Sequence, residues 1–375
     1  MPPPKTTGTR SSAPVTQDPE QDERDRYGFI DRVRTGIQLR HRGPIGDYYN
    51  SGVHLRTGEF RDGYSPFEVK GPEGSARVWT QSANDHSHLV MEFTPAKYLW
   101  GHNLYGPSDM LAVVITIVPD VLQRLNLSLS GEEEELLFTG ASRLYRVDST
   151  AMQDLGSNEA VEAHRNMIAT GRHCSLRRKT IDIGSVTFGR PDYYEVEVYN
   201  KQRELTDRSS GWGENYDAAT RELVLRTAGG KERTEVQMGA KKLLREKLST
   251  VADWNPLTPG RIVRANQRLI RVNEHQSLPP AILKGLPRAT RSVYWMWHGG
   301  DDPKNHYSKS GLRTHRKALM ALGIDITVPR IIGPDEKSPP EKLLTFTQIV
   351  ELPYEQPPES FITNGLYYEL STSRG

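Results

Sequence analysis

The hexapeptide Tyr194-Glu-Val-Glu-Val-Tyr199 alternates its side chains without a break, and a period of two commits it to a half-buried strand. Tyr194, Val196 and Val198 fall on one face and Glu195, Glu197 and Tyr199 on the other. His88-Leu-Val-Met-Glu-Phe93 reads as a second such strand, with Leu89, Met91 and Phe93 opposite His88, Val90 and Glu92. Shorter runs at Gly36–Arg40, Ser75–Trp79, Arg143–Ser149 and Ser185–Phe188 lie between turn residues and add further strands. Glu222–Gln237 has room for two more.

Helical patterns are interspersed with these strands. Ser108 is positioned to cap a helix through Leu111 and Val114, which Pro119 is expected to kink or split. Asn158–Thr170 and the basic segment Ala240–Lys247 read as two further helices. Four regions follow: a disordered tail at 1–26, a main folded domain at 27–250, a linker-like, proline-containing segment at 251–287, and a helical region with a Pro-rich tail at 288–375.

Bulk charge says little about partners, because a formal net charge of +2 does not diagnose nucleic-acid binding. Local clusters say more. Arg177, Arg178 and Lys179, then Lys241 and Lys242, then Arg313 and Arg316, are either phosphate-backbone contacts or solvated surface. The single cysteine, Cys174, excludes an internal disulfide framework and any multi-cysteine zinc site, and fits a reducing compartment. The first 26 residues hold no apolar core of a signal peptide, and Met110–Leu122 is too short to span a bilayer. The expectation is a cytoplasmic protein with no membrane partner.

Three segments carry side chains suited to phosphodiester chemistry, in which a tyrosine oxygen attacks phosphorus and a divalent ion neutralises charge. Glu92 to Gly106 places a strand-borne carboxylate ahead of His102-Asn103 on a turn, either a ligand or a loop-ordering pair. Tyr145-Arg-Val-Asp-Ser-Thr150 puts Arg146 and Asp148 on one strand face, as a metal site or a structural ion pair. In Tyr194 to Leu205, Lys201 follows Tyr199 by two residues, close enough to lower the phenol's pKa or hold a phosphate. Alternation alone does not choose Tyr199 over Tyr193 or Tyr194.

Pro95-Ala-Lys-Tyr-Leu-Trp-Gly-His-Asn-Leu-Tyr-Gly106 closely resembles the most recognisable block of the filamentous-phage replication initiators, the gene II/X family. Arg146-Val-Asp-Ser-Thr150 and Val198-Tyr-Asn-Lys-Gln-Arg-Glu-Leu205 are similar to two further blocks, in the family's order. Arg233-Thr-Glu235 is similar to a family strand to which no role is assigned, and Arg313–Ile326 resembles the family's helical region.

The resemblance implies an α+β fold: a mostly antiparallel sheet flanked by helices, as in rolling-circle nickases, with a small helical C-terminal unit. It implies Tyr199 as the nicking nucleophile, with Lys201 and Glu204 beside it. His102, Asp148 and Glu92 become the implied ligands of Mg²⁺ or Mn²⁺. Arg146 and the basic clusters become DNA contacts. The implied partners are single-stranded or hairpin origin DNA and the host helicase and polymerase. The rival readings are a catalytically silent origin-binding protein and a strand transferase of mobilisation or transposition.

Overall fold

The computed structural model describes residues 19–40, 43–46, 49–53, 60–81, 87–182, 184–190, 193–207, 215–272, 278–322, 324–327, 345–370 and 372. At its centre is a sheet of nine strands. In chain order these are β1 (Phe29–Gln38), β2 (Phe67–Lys70), β3 (Ser75–Thr80), β4 (His88–Phe93), β5 (Arg143–Asp154), β6 (Lys179–Asp182), β7 (Ser185–Arg190), β8 (Tyr194–Asn200) and β9 (Lys231–Gly239). Their spatial order is β2-β3-β4-β1-β5-β9-β8-β7-β6, and every neighbouring pair is antiparallel.

Register converts the sequence alternation into two unlike faces. On one face Ala76, Phe93, Val33, Val147, Met238 and Tyr194 line up across six adjacent strands and all enter the main core. The helix Met110–Arg124 lays Val113, Val114, Ile117 and Val121 on that face, joined by Leu243 of Ala240–Glu246 and Val263 of Thr258–Gln267. Each fully buried aliphatic side chain contributes on the order of 1.5–3 kcal/mol, so this face is where the fold is held. Asn158–Thr170 covers the far strands, packing Ile168 against Val186, Phe188 and Val198.

The opposite face carries charge. Arg77, Glu92, Arg34 and Arg146 are aligned across four strands. The next row is Arg32, Asp148, Gln237 and Glu195, and the next Thr150, Glu235, Glu197 and Thr187. The last is Met152, Arg233, Tyr199 and Ser185.

Several sequence expectations change against this frame. Pro119 lies inside one continuous helix rather than dividing it, and the N-cap is Asp109, whose side chain accepts from Ala112 N–H. Glu222–Gln237 holds the end of a helix, Ala218–Thr227, and then a single strand rather than two strands. The segment read as a linker contains Thr258–Gln267, whose Arg264 is fully buried against Asp25. Its proline sits at the helix start, where no N–H is needed. Gly260 permits this packing, since a Cβ there would lie 1.9 Å from the Asp25 carbonyl oxygen.

At the other end of the chain, Pro19–Asp25 forms a helix within the supposed tail, and residues 1–18 lie outside the described residues. The helical unit at Arg288–Ile326 has a core of its own, with Val293, Tyr294, Trp297, Leu312, Leu319 and Ile324 buried together. The Pro-rich tail beyond it holds the helices Phe346–Glu351 and Glu359–Thr363, with 328–344 outside the described residues. Among the described residues no helix is long and apolar enough to cross a membrane.

Candidate active site

Tyr199 sits one residue before the end of β8, on the charged face, at the edge of a cleft of about 280 Å³. Carboxylates from five segments line this cleft: Asp31, Asp182, Glu195, Glu197, Glu204 and Glu235. Its cationic lining is Arg32, Lys97, Arg146 and Arg203. The phenol is 8% exposed, and its hydroxyl donates to Glu235 Oε2 at 3.4 Å. Arg233, directly opposite Tyr199 in register, lies with its guanidinium carbon 5.9 Å from the ring centre. Burial pushes the phenol well above its ordinary pKa, with Arg233 opposing and Glu235 adding to the rise.

Beneath the cleft a buried polar network fixes the floor. Arg233 donates to Asp31 Oδ1 and to the Asn103 carbonyl, both at 2.5 Å. Asn103 also donates to Asp31 at 2.8 Å and accepts from Lys201 Nζ at 3.0 Å, and Lys201 reaches Glu204 at 2.8 Å. Against the cost of burial, Arg233 and Lys201 hold the Asp31 carboxyl down at about 2. Burial, with Arg233 nearby, brings Lys201 down to about 8 despite Glu204.

This placement corrects the role expected of Lys201. The helix Lys201–Asp207 begins immediately after β8, so position 201 leaves the strand's period of two and turns under the sheet. Lys201 is 0% exposed and committed to Asn103 and Glu204, and the phenol's pKa rises rather than falls. Glu204 does line the cleft, as the partner of Lys201.

The three implied metal ligands do not converge. Gly101, at φ 74°, ends the helix Pro95–Trp100 and swings His102 into the interior. His102 Nε2 must carry its proton, because it donates to the Leu366 carbonyl at 2.8 Å, while Nδ1 accepts the Leu104 N–H at 3.1 Å. Burial lowers this imidazole to about 4, so it is neutral, but its lone pair is already used. Asp148 accepts both Nε and Nη2 of Arg146, at 2.8 and 2.7 Å. Glu92 is held by Arg34 at 2.6 Å and Arg77 at 3.5 Å. These residues do not fit a divalent ion, and among the described residues no group of three His, Cys, Asp or Glu side chains is gathered to hold one.

The basic clusters divide as well. Arg177 and Arg178 are exposed, as are Lys241 and Arg313. Lys179, also exposed, caps the end of Asn158–Thr170, donating to the Gly171 carbonyl at 2.9 Å. Lys242 is buried over the Tyr194 ring and pairs with Glu246 at 2.6 Å. Arg316 is drawn onto Asp325 through two bonds of 2.9 Å. Those three are structural cations.

Asp31, Asn103, Arg233 and Glu235 complete the site without having been assigned to it from the sequence. The alternation of β9 puts Arg233 and Glu235 on one face, and register with β8 would have placed them beside Tyr199. Asp31 gave no such signal, because it falls in a register irregularity between Ile30 and Arg32. The C-terminal segment also contributes: Phe361 meets the His102 ring edge-on at 5.3 Å and Tyr367 packs on Trp100 at 5.0 Å.

Antiparallel strands thus present a tyrosine in an acid- and arginine-lined cleft, the frame of a protein that could act on a phosphodiester. The chain belongs to the family described as replication-associated protein G2P, N-terminal, which residues 30–256 match. It is 24% identical over 273 residues to the replication-associated protein G2P of Enterobacteria phage I2-2, spanning 72% of this chain and 76% of that one. The rolling-circle replication initiator protein from Geobacillus stearothermophilus overlaps 68% of this chain and 89% of its own at 12% identity, with a TM-score of only 0.32.

Proposed function

We propose that the protein starts replication by nicking one strand of an origin and later rejoining it, with Tyr199 as nucleophile. The observation that carries this is the placement of the Tyr199 side chain: lining the cleft, on an interior strand, with a carboxylate acceptor at 3.4 Å and a buried guanidinium beside its ring. Attack on the scissile phosphate gives a 5′-phosphotyrosine link and a free 3′-hydroxyl that serves as primer. Reversal by the 3′-hydroxyl of the displaced strand closes a circle. Bond energy is conserved throughout, so no nucleotide is consumed.

Arg32, Lys97, Arg146 and Arg203 line the same cleft and would meet a phosphate entering it. Oriented donors of this kind, fixed before reaction, stabilise the charge that develops on phosphorus. Arg177, Arg178, Lys241 and Arg313 are the outer backbone contacts in this reading. The DNA is origin DNA, opened as a single strand or hairpin. The host helicase and polymerase act on the nicked product in the host cytoplasm. Mg²⁺ or Mn²⁺ dependence is a matter for titration, and no step here passes through a metal.

The test is cleavage of labelled supercoiled and hairpin origin DNA by the wild type and by Tyr199→Phe. A covalent adduct made by the wild type and absent from the variant is expected. Equal nicking by both would move the nucleophile to another residue, Tyr193 or Tyr194 first. Binding without nicking by either would favour the silent origin-binding reading. Relocation of the nicked strand into a second duplex would favour the strand transferase.

A further inference from the structure

The Tyr199 phenol cannot rely on solvent to ionise. It is buried, its pKa lies well above the ordinary 10, and at neutral pH its phenolate is scarce. A nucleophile in that state needs a base within hydrogen-bond reach at the moment of attack. Among the described residues the side-chain acceptor for this hydroxyl is Glu235 Oε2, at 3.4 Å, a separation that tightens when substrate closes a site. Glu235 lies one alternation from Arg233 on β9, and its carboxylate is 4.0 Å from Arg233 Nη2.

We infer, on the reading that Tyr199 is the nucleophile, that Glu235 is the general base that takes the phenolic proton during nicking and the general acid that supplies one during rejoining. As the Tyr199 Oη–P bond forms and the P–O3′ bond breaks, the proton passes to Glu235 Oε2. The departing 3′ oxygen takes a proton from water, leaving a 3′-hydroxyl, and the hydroxide formed takes the proton from Glu235 and restores its carboxylate. On reversal Glu235 takes a proton from water; the 3′-hydroxyl attacks phosphorus and gives its proton to the hydroxide so formed, and as the P–Oη bond breaks Glu235 passes its proton to the leaving phenolate.

The surroundings tune this carboxyl for the task. Burial is the largest influence and raises it, Asp31 on β1, Asp148 on β5 and Glu197 on β8 raise it further, and Arg233 opposes them. The result is a carboxyl pushed up to about 8, near the working pH, where a base is both available and strong enough. Arg233 remains beside the ring as the proton leaves and balances the charge appearing on the phenol.

The experiment measures single-turnover cleavage of hairpin origin DNA across pH, at saturating Mg²⁺, by the wild type, Glu235→Gln and Tyr199→Phe, with DNA binding followed in parallel. The wild-type rate should climb with pH and level off near the Glu235 pKa. Glu235→Gln should bind DNA normally and cleave roughly 10²–10⁴-fold more slowly, with the pH-dependent limb gone. Placing a fluorinated, more acidic tyrosine at position 199 should restore part of that loss. Wild-type cleavage that rises past about pH 9 without levelling would mean hydroxide removes the proton, and would overturn the assignment even if the variant misfolds. Full activity of Glu235→Gln beside an inactive Tyr199→Phe would remove Glu235 and leave the nucleophile standing. Activity of Tyr199→Phe would overturn both.

Discussion

Among the described residues two arginines, Arg264 and Arg233, are buried completely, and their surroundings differ in kind. Arg264 is closed off: Nε meets Asp25 at 3.0 Å, Nη2 meets the Arg24 carbonyl at 3.0 Å, and Nη1 meets the carbonyls of Leu352, at 2.8 Å, and Val350. Its guanidinium carbon stacks 4.1 Å from the Tyr354 ring centre. Arg233 holds Asp31 and the Asn103 carbonyl, but its buried Nε finds no hydrogen-bond partner among the described residues. Around it Tyr199 and Glu235 are pushed up and Lys201 down. Satisfied charge marks a joint in the fold. Charge left partly unsatisfied, among groups with displaced pKa values beside a cleft, marks a place prepared for a ligand.

The sharpest way to break this contrast is to replace each arginine by methionine. Removing one partner of a buried ion pair costs about 3–5 kcal/mol, so both variants should lose stability in urea melts by similar amounts. Per folded molecule, however, Arg264→Met should nick at close to the wild-type rate, while Arg233→Met should fall by about 10²-fold or more. Equal activity losses would erase the distinction.

His102 gives the next largest effect. As a neutral ring bridging Leu104 and Leu366, it acts on the fold rather than on a metal. His102→Ala should unfold about 1–3 kcal/mol more easily by leaving buried backbone groups unpaired. The Mg²⁺ or Mn²⁺ concentration for half-maximal nicking should not move; a large shift would restore His102 as a ligand.

The smallest effect is a pH-dependent one at Glu235. Its folded pKa, about 8, lies above the ordinary 4.5, so the fold favours the protonated form. Its stabilising contribution is therefore full below the ordinary value and is lost as pH rises through about 8. Glu235→Gln keeps the neutral shape and should melt later than the wild type at about pH 9, with no such gain at about pH 4. A variant more stable yet less active at high pH is what a functional, strained carboxyl predicts.

How much of this was legible in the sequence follows the same division. The strands around the site were visible because alternation is a local signal: His88–Phe93 and Tyr194–Asn200 form where their patterns place them. So was the face shared by Glu195, Glu197 and Tyr199. What alternation does not carry is where it stops. Lys201 was placed beside the phenol because it follows Tyr199 by two residues, but a helix begins at that residue and turns it under the sheet. The closure of His102, Asp148 and Glu92 by Leu366, Arg146 and Arg34 depends on contacts that span 264, 2 and 58 residues, and only the second is local. Arg146 and Asp148 could be read from the sequence as either an ion pair or a metal site, and the structure makes them an ion pair. The proline-containing segment Trp254–Pro287 hid a core helix because its proline stands at the first turn, where it promotes rather than breaks.

The most direct measurement of the central claim is to trap the protein on 5′-labelled origin DNA, digest it, and sequence the peptide that retains a nucleotide. The account predicts one modified residue, Tyr199, on the peptide running into Asn200-Lys201. A nucleotide on Tyr193, Tyr194 or any other side chain would contradict it.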